Sequence, residues 1–210
     1  MLSTVRYARL PLRPRNFLSE RAWDRRVVVA VRMTTETALH IACRQGQLDI
    51  AQGLHSTGAS LYATDVNGDT PLHLACHEGH LGIAQWLHSA SASVDATDGD
   101  GWTPLHHACF KGHHDVAQWL HSAGASLNAT DRDGQTPLHI ACSAGHLDVA
   151  QWLHSAGASL NGCFSVIGWT PLHRACAKGR LEMAQWLCSL GADATLKAND
   201  GNTPAQLLVS

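Results

Sequence analysis

The sequence predicts an all-α solenoid in which short helical units stack side by side. The tetrad Thr-Pro-Leu-His, or once Thr-Ala-Leu-His, starts five times at intervals of 33 or 34 residues, at Thr37, Thr70, Thr103, Thr136 and Thr170. A glycine lies nine residues after each of these threonines, and the block Ala-Gln-Trp-Leu-His recurs at 84–88, 117–121 and 150–154. Such a period is the signature of a repeat architecture, because one unit cannot bury its own apolar faces.

Each period predicts two helices, as the unit that starts at Thr70 illustrates. The hydroxyl of Thr70 suits the N-cap of a first helix, and Pro71 suits its first turn because the missing N–H costs nothing there. Gly79 can take the left-handed conformation that ends this helix. The second helix carries an apolar stripe at helical spacing, made of Leu81, Ile83, Ala84 and Leu87. Glycines also end the second helices, at Gly58, Gly124, Gly157 and Gly191.

Turn sequences separate the helical pairs, as at 65–68 (Asp-Val-Asn-Gly) and 131–134 (Asp-Arg-Asp-Gly), and predict a hairpin finger between units. Period and motif together resemble the ankyrin repeat over about 34–210. The resemblance implies an ankyrin-repeat solenoid of stacked helix-turn-helix units with short β-hairpin fingers. Its repeats would cover about 34–64, 65–97, 98–130, 131–163 and 164–198, with a partial C-terminal cap at 199–210.

Three features depart from the ankyrin pattern. Where the second helix usually carries two aliphatic residues, this chain has Ala84 and Trp86, a small and a large residue that together keep the packed volume roughly constant. Gly53 replaces this tryptophan in the first repeat and lowers helix propensity by roughly 1 kcal/mol, which suits a terminal repeat. Ser91 replaces the glycine that ends the second helix of repeat two, so we expect strain there.

Five of the seven cysteines recur at one repeat position, at Cys43, Cys76, Cys109, Cys142 and Cys176. This regularity predicts small, buried packing residues rather than a disulfide framework. An odd count without a secretory signal fits a reducing compartment, so we expect a cytoplasmic protein. No apolar run reaches the roughly 18 residues that a membrane-spanning helix needs.

Histidines recur in two series. The first forms His-x-x-Cys pairs from His40/Cys43 to His173/Cys176, a spacing that would place two metal ligands on one helical face. The resemblance implies instead that this histidine hydrogen-bonds across the finger, so we expect no metal and no cofactor. The second series is expected to serve packing or the surface, at His55, His88, His121 and His154. Fifteen histidines together predict a pH-dependent stability.

Nothing in the sequence assembles an active site, so we expect no enzyme. A catalytic role would need a nucleophile, a base and an orienting group that converge in one pocket, whereas these histidines recur in parallel. The Asp-Gly-Asp-Gly stretch at 98–101 lacks the spacing of a phosphate-binding loop. Residues 34–210 carry a net charge of -8, which would repel a phosphate backbone, so nucleic acid is not the expected ligand.

Residues 1–33 do not match the repeat. They hold eight arginines against Glu20 and Asp24, a net charge of +6. We interpret them as a basic arm, flexible or a targeting segment. Their early arginines, with Ser3 and Thr4, resemble a mitochondrial transit peptide in composition, which makes a mitochondrial location the alternative. Met33 directly precedes the first repeat and offers a second start of translation.

In ankyrin proteins the concave face, formed by finger tips and first helices, usually holds the partner, and the positions that vary between repeats give specificity. By resemblance, the candidate partner-binding residues are Asn67, Asp69, His77, Glu78, Asp100, Trp102, Phe110, Lys111, Arg132, Asp133, Gln135, Val166, Ile167, Trp169 and Lys178. These sites differ between repeats while the scaffold recurs almost verbatim.

Trp102 and Trp169 stand at equivalent finger positions and allow two interpretations of equal weight. An exposed tryptophan would be a binding anchor, whereas a tryptophan folded onto its own finger would be packing. The apolar finger at 162–168 also carries the one-residue insertion. It would be a binding hot spot, a contact with a further domain, or a neutral variation.

The sequence therefore predicts a monomeric module that binds another protein, as a scaffold, an adaptor or an inhibitor. A stiff, preformed surface suits this role because little ordering entropy is lost on association. Two alternatives stay open. In the first, the chain is the recognition fragment of a larger multidomain enzyme. In the second, it is a repeat array with no specific partner.

Overall fold

The computed structural model describes residues 38–161 and 167–208, so the basic arm at 1–33 lies outside the described residues. Helix α1 covers 38–44. It is followed by α2 (Leu48–Ser56), α3 (Pro71–His77), α4 (Leu81–Ser89), α5 (Pro104–Lys111), α6 (His114–Ser122), α7 (Pro137–Ala144), α8 (Leu147–Ser155), α9 (Pro171–Ala177), α10 (Leu181–Ser189) and α11 (Pro204–Leu207). Within the described ranges the chain forms helices and turns without strands, which confirms the predicted all-α class.

The helices form two layers. The first helices α3, α5, α7, α9 and α11 pack closely against one another along the stack. The second helices α4, α6 and α8 each pack against their own first helix and touch one another much less. An array whose first helices are closer together than its second helices curves toward the first helices. The first helices therefore line the concave side, together with the fingers beside them.

One apolar core runs through the stack. Its inner part comes from the leucine of each tetrad and from the following alanine and cysteine, as at Leu105, Ala108 and Cys109, which are all fully buried. The second helices add the apolar stripe, as at Val116 and Leu120. The five recurrent cysteines are buried and free, as the sequence predicted.

Left-handed glycines end the helices as expected. Gly112 caps α5 with φ at 77° and Gly145 caps α7 with φ at 92°. A histidine from the next repeat then covers the ends of α3 and α5: Nε2 of His113 lies 3.0 Å from the carbonyl oxygen of His77, and Nε2 of His146 lies 3.0 Å from that of Phe110. At the end of α7 an arginine takes this place, and Nε of Arg180 donates to the carbonyl oxygen of Ser143 at 3.3 Å. This third histidine series ties neighbouring repeats together.

The fingers are tight turns rather than paired strands. In the finger of repeat two, the N–H of Asp65 donates to the carbonyl of Asp69 at 3.0 Å. Oδ1 of Asp65 accepts from the N–H groups of Asn67 and Asp69 at 2.8 and 3.0 Å. Adjacent fingers are also joined, because the N–H of Gly99 donates to the carbonyl of Asn67 at 2.8 Å. The fingers predicted as short hairpins are therefore turns without strands in the described residues, and a backbone ladder between fingers holds them in place.

Ser91 has the strain that the sequence predicted. Its φ is 79°, and it alone among the described non-glycine residues has a positive φ. We expect Ser91→Gly to raise the free energy of unfolding by about 1 kcal/mol, because a residue with a Cβ pays roughly that penalty in the left-handed region. Urea unfolding followed by far-UV circular dichroism measures the change. An unchanged or lower midpoint would show that Ser91 carries no strain.

Candidate functional site

The tetrad histidines bind the fingers through hydrogen bonds to their backbone. Nε2 of each ring lies close to the carbonyl oxygen of the residue before the next tetrad: 3.0 Å for His73 to Trp102, 3.1 Å for His106 to Gln135 and 3.0 Å for His139 to Trp169. These contacts confirm the hydrogen bond across the finger that the resemblance implies. Each of these fingers is therefore fixed relative to the first helix of the preceding repeat.

The hydrogen bonds of these rings also determine their protonation. Nδ1 of His73 accepts from the backbone N–H of Thr70 at 3.1 Å, while its Nε2 faces carbonyl oxygens and must donate. The ring is therefore neutral with its proton on Nε2. Burial lowers the pKa of His73, His106 and His173 below the ordinary 6.5, because the charged form would be desolvated.

The His-x-x-Cys pairs do not offer metal ligands in this arrangement. Both ring nitrogens of His73 already bond to protein atoms. The thiols are also unreactive, since burial raises the pKa of Cys43 to about 12 and that of Cys76 further. A metal ion needs a thiolate and a free imidazole nitrogen. The pairs are structural.

The second histidine series packs as predicted. Each of these rings lies edge-on to the tryptophan of the following repeat, as in His55 with Trp86 at 6.0 Å between ring centroids and His88 with Trp119 at 5.9 Å. The recurrent tryptophan thus packs against the outer layer while Ala84 is fully buried beside it. The combination of a small and a large residue is used for packing between repeats.

A buried ionic cluster lies on the concave side between repeats two and three. Nε2 of His107, on α5, is 3.0 Å from Oδ2 of Asp98 and 3.3 Å from Oδ1 of Asp69. The three side chains are only 8 to 10% exposed. The contact with Asp98 is a hydrogen bond, whereas Oδ1 of Asp69 has no hydrogen-bond partner. The cluster links the fingers of two successive repeats to one helix.

The electrostatics of this cluster favour a charged histidine. Burial opposes the charge on His107, but its close polar contacts with Asp69 and Asp98 and their negative charges outweigh it, so the pKa of His107 is raised above 6.5. Burial alone would raise the pKa of Asp69, yet the neighbouring His107 lowers it below its ordinary value. A cation between these two carboxylates is therefore stabilised.

Trp102 packs on its own repeat and is half-buried. Its ring centroid lies 5.2 Å from that of His107 and 5.4 Å from that of Phe110. Its Nε1 donates to Oδ2 of Asp131 at 3.1 Å, which connects it to the next finger. Of the two interpretations of this residue, packing describes its contacts, and one part of the indole stays open to the concave side.

Trp169 makes a similar contact in the last full repeat. It is half-buried, and the guanidinium of Arg174 lies over its ring at 5.0 Å from the centroid. The ring of His173 stacks on it with centroids 6.3 Å apart. Residues 162–166, in the finger that carries the one-residue insertion, lie outside the described residues, so Val166 has no described position.

A cleft opens where the fingers of repeats two and three meet. It has a volume of about 450 Å³. The three residues of the ionic cluster line it. It is also lined by residues of the two fingers, at Val66, Asn67, Asp100 and Trp102. The cleft therefore combines acidic groups with one aromatic face.

The remaining candidate residues take three kinds of position. Exposed side chains are found at Asn67, Glu78, Asp100, Phe110, Lys111, Arg132, Asp133, Ile167 and Lys178. His77 is half-buried, with Nδ1 at 3.1 Å from Oε1 of Glu78. Asp69 and Gln135 are buried and hold the finger bases.

Two residues of the buried ionic cluster were not among the sequence candidates, namely His107 and Asp98. A signal for His107 exists, because the equivalent positions of neighbouring repeats hold the aliphatic residues Leu74 and Ile140. A histidine at an aliphatic position on a first helix is therefore the feature that would have located the cluster. Asp98 gives no such signal, because an aspartate recurs at this finger position.

The comparison with protein families agrees with this architecture. A family profile described as ankyrin repeats in three copies matches residues 39–131, 72–162 and 120–198. None of the curated proteins compared with the chain matches it. No helix in the described ranges is long and apolar enough to cross a membrane. Ankyrin repeats are generally protein-protein interaction modules and are generally not enzymes. The repeated tetrad, the stacked helix pairs and the family profile together show that this chain belongs to the ankyrin-repeat family.

Proposed function

We propose that the chain binds another protein through its concave surface, formed by the finger tips and the inner ends of the first helices. The observation that supports this is a contrast within the chain. The tetrad and the core leucines recur in successive repeats, while the positions at the concave ends of the first helices change, as at His77, Phe110, Ser143 and Ala177. Variation limited to one face of a repeated scaffold is typical of a recognition surface.

The surface is ordered before a partner arrives. The finger ladder includes the N–H of Arg132, which donates to the carbonyl of Asp100 at 3.0 Å, and the N–H of Asn199, which donates to that of Ile167 at 2.9 Å. The tetrad histidines fix the base of each finger. Association then costs little ordering entropy, which favours affinity for a given buried area.

The finer role follows from the same surface. We propose that residues 34–210 form the binding unit, that it acts as a monomer, and that its partner is a protein rather than a nucleic acid because this part of the chain is acidic. Roles as scaffold, adaptor and inhibitor all use this surface. Five buried free thiols favour the reducing cytoplasm.

Affinity capture from a lysate of the source organism tests the proposal. The bait is the full chain, compared with the double variant Asp100→Lys, Phe110→Ala on the concave side. A matched control, Asp148→Lys, Gln118→Ala, makes the same kinds of change on the exposed side of the second helices. Circular dichroism establishes that all three baits are folded.

We expect a protein that the parent and the control capture to be lost or reduced at least about tenfold with the concave variant, since central interface residues often contribute 2 kcal/mol or more. Equal capture by all three baits would contradict the proposal. Loss with the control alone would move the surface to the outer side. Capture of nothing specific by the parent would favour a repeat array without a partner.

A further inference from the structure

Two departures from the repeat pattern meet in the cleft between repeats two and three. His107 replaces an aliphatic residue of the first helix, and Asp69 replaces the tryptophan or glutamine found at Trp102 and Gln135. The two residues come from different repeats, 38 positions apart, yet their side chains lie 3.3 Å from each other. Either change alone would bury a polar side chain without a partner. Together the two side chains contact each other and form a polar site.

We propose that this cluster is a binding site for a divalent transition-metal ion such as zinc. The ligands are Nε2 of His107, Oδ1 of Asp69 and Oδ2 of Asp98. A fourth coordination position faces the cleft. The site lies beyond the proposed partner-binding function and does not depend on it.

The distances between the ligand atoms fit such an ion. Nε2 of His107 is 3.0 Å from the oxygen of Asp98 and 3.3 Å from that of Asp69, and all three atoms lie within 4.8 Å of one another. In a tetrahedral zinc site with bonds of about 2.0 Å, two ligand atoms are about 3.3 Å apart. The three ligands therefore need little movement to coordinate one ion.

The environment of the ligands also bears on the site. Oδ1 of Asp69 makes no hydrogen bond although the side chain is only 9% exposed, and its contact with Nε2 of His107 at 3.3 Å is an ion pair. Zinc replaces the proton on this nitrogen, which is released to solvent, and binds the two carboxylates directly. Asp98 is held in position by its finger, because its Oδ1 accepts from the N–H groups of Asp100 and Trp102 at 2.8 Å. Fixed outer contacts of this kind orient a metal ligand.

The donor set selects the class of ion. One imidazole nitrogen with two carboxylates suits zinc and neighbouring transition metals, whereas magnesium and calcium prefer oxygen ligands alone. Three protein ligands leave one position for water or for a donor from another molecule, as in open zinc sites. The recurrent buried cysteines do not compete, because burial raises the pKa of their thiols, as at Cys109 and Cys142.

Zinc binding to the full chain tests the site, measured by competition with a chromophoric chelator in a reducing buffer. The variants restore residues that this chain itself uses at equivalent positions, so the fold is kept: His107→Ile follows Ile140, and Asp69→Gln follows Gln135. The matched control, His114→Leu, removes a histidine at a position where other repeats have leucine, as at Leu81 and Leu147. Magnesium replaces zinc in a parallel titration.

We expect the parent and His114→Leu to hold one zinc ion more per chain than either cleft variant, with a dissociation constant of about 10 µM or lower. Magnesium should not bind there. Zinc should also shift the ring nitrogen resonances of His107 in the parent. Equal zinc content in the parent and both cleft variants would show adventitious binding to exposed histidines and overturn the proposal. Loss of zinc in His114→Leu alone, or no binding by the parent, would overturn it as well.

Discussion

Replacing Gly68 with alanine is expected to lower the free energy of unfolding by about 3 kcal/mol, through strain and a broken finger ladder. Gly68 has φ at 85°, a conformation that costs any residue with a Cβ roughly 1 kcal/mol or more. A Cβ there would also lie 2.5 Å from the backbone nitrogen of Gly99, in the next finger. The finger would have to shift, and the hydrogen bond from Gly99 to Asn67 would be lost. Urea unfolding followed by far-UV circular dichroism measures the loss.

Gly58→Ala is the matched control. Gly58 has φ at 100°, but nothing lies within 4 Å of a Cβ built there. Its replacement therefore carries the conformational cost alone, about 1 kcal/mol. The difference between the two variants isolates the close approach of the fingers. Equal losses in the two variants would show that the fingers do not pack as closely as described.

Acidification is expected to destabilise the array, because its buried tetrad histidines are neutral. Nδ1 of His173 accepts from the N–H of Thr170 at 3.1 Å, and burial lowers its pKa below 6.5 although Asp200 favours the charged form. In the unfolded chain this histidine is protonated near pH 6.5, whereas in the folded chain it stays neutral to a lower pH. Stability is therefore full above that pH and falls as the pH drops through the window below it, by up to about 1.4 kcal/mol per pH unit for each such group.

Other histidines with shifted pKa values also change the stability as the pH falls. His73, His77 and His106 have lowered pKa values, caused mainly by burial, and act in the same direction as His173. His107 acts in the opposite direction, since its raised pKa gives stability below 6.5 that is lost as the pH rises through the folded value. Four groups against one predict a net loss on acidification. A urea midpoint that stays constant between about pH 7.5 and 5.5 would contradict this assignment.

His173→Gln provides the single-residue control. Gln206 takes the equivalent place in the terminal cap, where its Oε1 accepts from the N–H of Thr203 at 2.8 Å. The glutamine therefore keeps the capping acceptor but cannot titrate. We expect a smaller dependence of the urea midpoint on pH than in the parent. An unchanged dependence would mean that His173 does not contribute.

The fold could be predicted from the sequence because the helix-boundary residues and the repeat period indicate the same helices. Thr70, Pro71 and Gly79 each indicate a helix boundary by their own chemistry, and the structure has boundaries there. The burial of Cys76 followed from its recurrence alone. The fingers were overestimated as hairpins, because a turn sequence indicates the turn but not how far the flanking chain stays paired.

The candidate site was less accessible to sequence reasoning because its contacts join different repeats. Asp69 and His107 are 38 positions apart, and only the stacking of two repeats brings them together. The hydrogen bond from Nε1 of Trp102 to Asp131 likewise depends on the next finger. Variation between repeats selected positions on the concave side, but it did not separate exposed positions from buried supports such as Gln135.

Site-specific photocrosslinking in the full chain tests the central claim, that a partner occupies the concave surface, most directly. A benzophenone amino acid replaces Phe110, which is 43% exposed on the concave side, or Gln118, which is exposed on the second helix of the same repeat. After irradiation in lysate, we predict a defined crosslinked protein from position 110 and none from position 118. The same product from both positions, or from position 118 alone, would contradict the account.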